Sequence, residues 1–153
     1  MTDNQTDNRL IPAAALLLRL ALGAMFLAHG LTKLLVFTPA GTAGYFESLG
    51  LPGALGYLTM VAETAGGVLL LTGVATRWVS LALVPVLLGA AVFGHGGNGW
   101  MFSNAGGGWE YPVFLAVAAL VQALLGNGAL ALRWNRAVAH HQAKVAGHRL
   151  ASG

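Results

Sequence analysis

Cysteine is absent from this chain of 153 residues, and charge is scarce. Eight Lys and Arg and five Asp and Glu make up only 8% of it. Without a thiol, the chain alone cannot exchange disulfides, ligate an iron–sulfur cluster through cysteine or perform thiol catalysis. Soluble domains carry about a quarter charged residues, so the deficit argues for a different solvent. No Gly-Lys-Ser/Thr follows a glycine-rich stretch, which excludes the usual phosphate loop. Neither a Ser-His-Asp arrangement nor paired carboxylates are evident. The chain is instead 56% apolar, with a mean hydropathy of +0.69. These values predict an all-α integral membrane protein, one domain over residues 1–153.

Four apolar stretches are long enough to span a bilayer at about 20 residues each. They cover about 11–35, 52–74, 78–94 and 111–132, and predict a four-helix bundle. Pro12 and Pro52 suit first helical turns, and Pro85 should kink the third span. The polar stretch Met1–Arg9 lacks the basic region of a secretory signal and is expected to be a disordered tail. Residues 36–51, with Pro39 and the Tyr45-Phe46-Glu47 cluster, suit an interfacial helical turn. Residues 95–110 form a glycine-rich connection whose Trp100, Phe102 and Trp109 suit the headgroup zone.

The sequence pI is about 9.8, but most basic residues flank apolar runs, so topology explains them better than nucleic acid does. Arg9, Arg77, Arg133, Arg136, Lys144 and Arg149 fall on one side and Lys33 on the other. Both termini are therefore expected in the cytoplasm. The tail 133–153 places Arg133, Arg136, His140 and Lys144 on one helical face suited to anionic headgroups. His140 and His141 are adjacent, which is weak as a metal pattern beside a solvated or lipid-facing tail.

The stretch from Arg19 to Lys33 carries the most informative polar residues. At 100° per residue, Arg19, Gly23, His29, Gly30 and Lys33 share a face about 120° wide. Ionisable groups are costly in hydrocarbon and turn toward protein or a wet cavity. Glu63, amid Gly56, Thr59, Gly66 and Gly67, is the ionisable group of the second span, with small residues that admit a close neighbour. By depth, Arg19 is expected to pair with Glu63, either fixing the packing or placing Glu63 in a proton path.

His29, Lys33, His95 and Glu110 map to the outer half. Two imidazoles, an ammonium and a carboxylate suit binding and deprotonation of a quinol-type ligand. As a metal set, His29, His95 and Glu110 lack tight ligand spacing. Bis-histidine haem is weaker still, so no haem or metal is implied.

Together these features resemble the DoxX family of small four-span bacterial membrane proteins. The resemblance rests on Arg19-Leu-Ala-Leu-Gly23, His29-Gly30, Lys33, Gly50-Leu51-Pro52, Glu63 and Gly66-Gly67. It continues through Leu71-Thr72-Gly73, Thr76-Arg77, His95, Gly108-Trp109-Glu110-Tyr111-Pro112 and Gly126-Asn127-Gly128. Where relatives often carry a Ser-Leu-Asp-like sequence, this chain reads Ala129-Leu130-Ala131-Leu132. The family takes its name from a membrane subunit associated with thiosulfate:quinone oxidoreductase or quinol oxidase. Some relatives are associated with oxidative-stress complexes, and others accompany metal-related gene clusters.

The resemblance thus implies an inner-membrane subunit of a quinone-linked oxidoreductase or oxidative-stress complex. Quinone is the expected cofactor. His29, His95 and Glu63 are the candidate catalytic residues, and Lys33, Glu110 and Arg19 the candidate ligand-binding residues. Electrons would come from a redox partner protein or a bound cofactor. Lipid is the surrounding partner, a second copy of the chain is compatible, and nucleic acid is not expected. The alternative is a non-enzymatic anchor or assembly factor for a redox or metal-handling partner.

Overall fold

The computed structural model describes residues 3–132, with side chains described from Leu10 onward. The expected basic face and the His140-His141 pair lie outside the described residues. Helix α1 spans Asp3–Leu31 and runs on through a wider π turn at Thr32–Val36. A short helix, α2, covers Pro39–Ser48, followed by α3 at Ala54–Thr72. Helix α4 covers Thr76–Gly89 and widens into a second π turn at Ala90–Gly94. After a glycine-rich loop, α5 covers Glu110–Leu125. No strand occurs among the described residues.

Small residues decide how the helices meet. A methyl group added to Gly30 would strike Thr64, and one added to Gly67 would strike the backbone at Leu27. Gly23 lies similarly against Leu71. Helices α1 and α3 therefore run antiparallel with their backbones in close approach, as expected of small-residue interfaces in lipid. Gly66 receives Leu83 of α4, and Arg77 at the start of α4 donates to Ala123 O near the end of α5. The four long helices enclose Leu22, Phe26, Leu70, Leu83, Leu87, Ala116 and Ala119. Helix α2 crosses one end of this bundle, its Thr42 and Ala43 resting on Gly56.

The outside of the bundle is as apolar as its core. Leu17, Trp78, Phe114 and Leu124 are each 69–80% exposed. In water such a surface drives aggregation; in a bilayer it meets acyl chains. Three segments, Leu10–Val36, Ala54–Thr72 and Thr76–Gly94, are long and apolar enough to cross a membrane. Helix α5 is shorter, about 24 Å at 1.5 Å per residue.

Several local features differ from the expectations above. The polar N-terminal stretch is helical from Asp3 onward. Pro12 therefore sits inside α1 rather than in its first turn. The fourth helix stops at Leu125 rather than near Leu132, because Gly126 and Gly128 adopt φ of 79° and 68°. Beyond them the chain folds back under the bundle, where Ala129 N donates to Pro12 O and Leu132 N to Thr72 O.

Candidate functional site

A cavity of about 390 Å³ lies at the α2 end of the bundle, with walls from all five helices. That volume falls in the range of small-molecule sites. Most of its wall is apolar, including Phe26, Leu58, Phe93 and Leu115. Seven side chains bring polar atoms to it: His29, Lys33, Tyr45, Thr59, Glu63, His95 and Tyr111.

Lys33 Nζ lies 2.7 Å from Glu63 Oε2. The lysine side chain is 21% exposed and the glutamate 8%. Burying either charge alone in an apolar surrounding is costly, whereas together they satisfy one another. The π turn at Thr32–Val36 carries Lys33 and is braced by α2, since Thr42 Oγ1 donates to Lys33 O. The second π turn, Ala90–Gly94, ends at His95. Such wide turns recur at functional sites, and here both border the same cavity.

The two histidines have defined tautomers. His29 Nδ1 is 2.9 Å from Met25 O, and His95 Nδ1 is 3.1 Å from Gly107 O and 3.2 Å from Gly106 O. A carbonyl oxygen only accepts, so in each ring Nδ1 carries the hydrogen and donates it. In the neutral ring Nε2 is then left with a lone pair. The His29 ring also stacks on Tyr111, with centroids 6.5 Å apart, and Tyr111 donates its hydroxyl hydrogen to Met25 Sδ.

His95 joins the cavity to the glycine-rich loop. Asn98 Nδ2 donates to the same two carbonyls, of Gly106 and Gly107, and Asn104 Nδ2 donates to Asn98 O. Glu110 closes the loop, accepting from Phe102 N at 2.7 Å through Oε1. This built loop displays Trp100, Met101 and Phe102, each at least half exposed.

The structure thus brings His29, His95, Lys33 and Glu63 to one cavity and leaves out two expected members. Glu110 serves the loop, while the adjacent Tyr111 lines the cavity. Arg19 is at the opposite end of the bundle, 1% exposed, with Nη2 donating to Ala129 O. The expected Arg19–Glu63 pair is therefore replaced by Lys33–Glu63. The reason is register: with Gly30 against Thr64 and Gly23 against Leu71, Glu63 stands level with roughly residue 31. Arg19 is about 18 Å further along α1 at 1.5 Å per residue. Counting depth from span centres misses this, because α1 is longer than α3. Tyr45 was legible only as part of an interfacial cluster and Tyr111 only as the start of the fourth span, although Tyr111 adjoins a residue already mapped to the outer level. Among the described residues, no three His, Asp or Glu side chains gather as a metal-binding group.

An all-helical bundle with an apolar outside and a polar-edged inner chamber defines a multi-pass membrane protein with an internal cavity. Comparison with known proteins then gives the family. The sequence profile of DoxX matches residues 14–96. The chain is 34% identical over 125 residues to the Bacillus subtilis (strain 168) protein named "Putative oxidoreductase CatD", covering 82% of this chain and 88% of that one. It is 30% identical over 129 residues to "Inner membrane protein YphA" of Escherichia coli (strain K12), covering 79% and 89% respectively. This chain belongs to the DoxX family, as a multi-pass protein of the inner membrane. The matched span holds Arg19, His29, Lys33, Glu63 and His95, whereas Glu110 and Tyr111 lie beyond it. No solved structure matches the chain.

Proposed function

We propose that this protein is the membrane subunit of a quinone-linked redox system, and that its chamber holds the ring of a membrane-soluble quinone or quinol. The observation carrying this reading is the chamber itself: apolar walls, with His29, His95 and the Lys33–Glu63 pair lining one cavity of about 390 Å³. A substituted aromatic ring with two oxygens needs apolar surface for its faces and hydrogen-bonding groups for its oxygens. The printed name of the Bacillus subtilis relative, "Putative oxidoreductase CatD", supports the same class.

The quinone couple supplies the electron capacity that the side chains lack. The chain's residues bind and orient the ring: Phe26 and Leu115 cover it, the Nε2 atoms of His29 and His95 accept from its hydroxyls in the quinol form, and Lys33–Glu63 fixes the charge balance. Electrons are supplied by a redox partner protein. Mass spectrometry of lipid extracts from protein purified in mild detergent tests this. A near-stoichiometric quinone or quinol in wild type, depleted in His29→Ala, is expected. An intact wild-type bundle carrying none would contradict the reading and favour an anchor for a partner protein.

A further inference from the structure

We infer that the chamber selects the reduced, dihydroxy form of its aromatic ligand over the oxidised dione. This rests on the chamber being the ring site proposed above, and it specifies the redox state taken.

The argument is a count of fixed hydrogen-bonding roles. His29 gives its Nδ1 hydrogen to Met25 O, and His95 gives its own to Gly106 O and Gly107 O. In its neutral form each ring therefore offers only an acceptor, Nε2. Glu63, ion-paired with Lys33 at 2.7 Å, also only accepts as a carboxylate. Tyr111 has already committed its hydroxyl hydrogen to Met25 Sδ, which leaves its oxygen as an acceptor. Against these four acceptors stands one fixed donor, Lys33, with one of its hydrogens spent on Glu63. The hydroxyls of Tyr45 and Thr59, which also line the cavity, rotate to either role.

A dione carries acceptors at both ends and brings no hydrogen to Nε2 of either histidine. A diol brings one hydrogen at each end. His95 is half-buried and His29 exposed; where the bound ring covers an Nε2, leaving that acceptor without a donor costs more than a matched hydrogen bond gains. Sites built around a ligand hydroxyl accordingly discriminate strongly against the analogue lacking it. The two backbone-tethered Nδ1 atoms thus act as specificity determinants, because they prevent the rings from turning donors toward the ligand.

The test compares tetramethylhydroquinone, tetramethylbenzoquinone and the dimethyl ether of the former, titrated anaerobically into wild-type protein in lipid nanodiscs, with affinity read calorimetrically. The hydroquinone should bind about 10–100-fold more tightly than the dione, and the dimethyl ether should bind no better than the dione. In His95→Phe the ratio of hydroquinone to dione affinity should fall toward one. Equal or tighter binding of the dione to wild type overturns the inference yet leaves the chamber as a ring site. If none of the three binds, the ring-site reading fails as well. The wild-type comparison decides the matter even where the variant does not fold.

Discussion

Lys33 and Glu63 carry opposite charges in the wall of a largely apolar chamber, and each makes the other tolerable. Lys33→Met leaves the carboxylate buried without its partner and should lower stability by about 3 kcal/mol, measured by unfolding in detergent. The double change Lys33→Met with Glu63→Leu should recover most of that loss, because a matched apolar pair removes both desolvation costs. If the double variant is no more stable than the single one, the pair is not the reason for the loss. The sequence revealed that Glu63 needs a partner but favoured the wrong one. Composition and depth identify a buried charge; only the register of α1 on α3, set by Gly23, Gly30 and Gly67, shows which cation is level with it. Arg19 has a different role at the opposite end. It sits by Gly73, the left-handed residue ending α3, and reaches the segment after α5. Helix C-termini carry negative partial charge, so a cation is stabilised there without a carboxylate.

At the scale of the helices, the close approach of α1 to α3 is the joint on which the chamber is hung. Gly30→Ala drives a methyl group onto Thr64. It should destabilise the bundle by about 1–3 kcal/mol, as overpacking does, and should weaken ligand binding by displacing His29. Gly44→Ala is the matched control: it lies within α2 with nothing within 4 Å of the added carbon. It should be neutral, or stabilising by about 0.5–1 kcal/mol from helix propensity. Thermal melts of the two variants side by side check both expectations. Equal losses at the two positions would remove the case for the joint. The glycine stripe on α1 and the one around Glu63 were readable as faces, because helical periodicity is local. The two π turns were not: Thr32–Val36 and Ala90–Gly94 have ordinary helix-forming apolar sequences. Both border the chamber, whose wall includes Lys33 of the first and Phe93 of the second.

The whole molecule is a bundle with two unlike ends. One end bears α2, the aromatic loop and the chamber; the other bears the 72–76 turn, with Arg77, and the 126–132 return. The bias of Lys and Arg toward the second end leads us to place it in the cytoplasm. Since the natural chain has no cysteine, single introduced thiols report orientation cleanly. Ser103→Cys should react with a membrane-impermeant maleimide on intact cells, and Asn127→Cys only after permeabilisation. The reverse pattern would put the chamber on the cytoplasmic face. At this scale the sequence was most legible, because low charge and span length follow from the bilayer alone. The chamber was legible only as a level, since five helices contribute to it and no local pattern encodes their convergence.

The central claim, that this chamber holds a quinone-type ring, is tested most directly by photolabelling. An azido-quinone irradiated with the protein in nanodiscs, followed by peptide mapping, should mark the segments carrying His29 and His95. Excess unlabelled tetramethylhydroquinone should abolish the labelling. Marks confined to lipid-facing residues such as Leu17, Phe114 or Leu124, or unchanged by the competitor, would contradict the account.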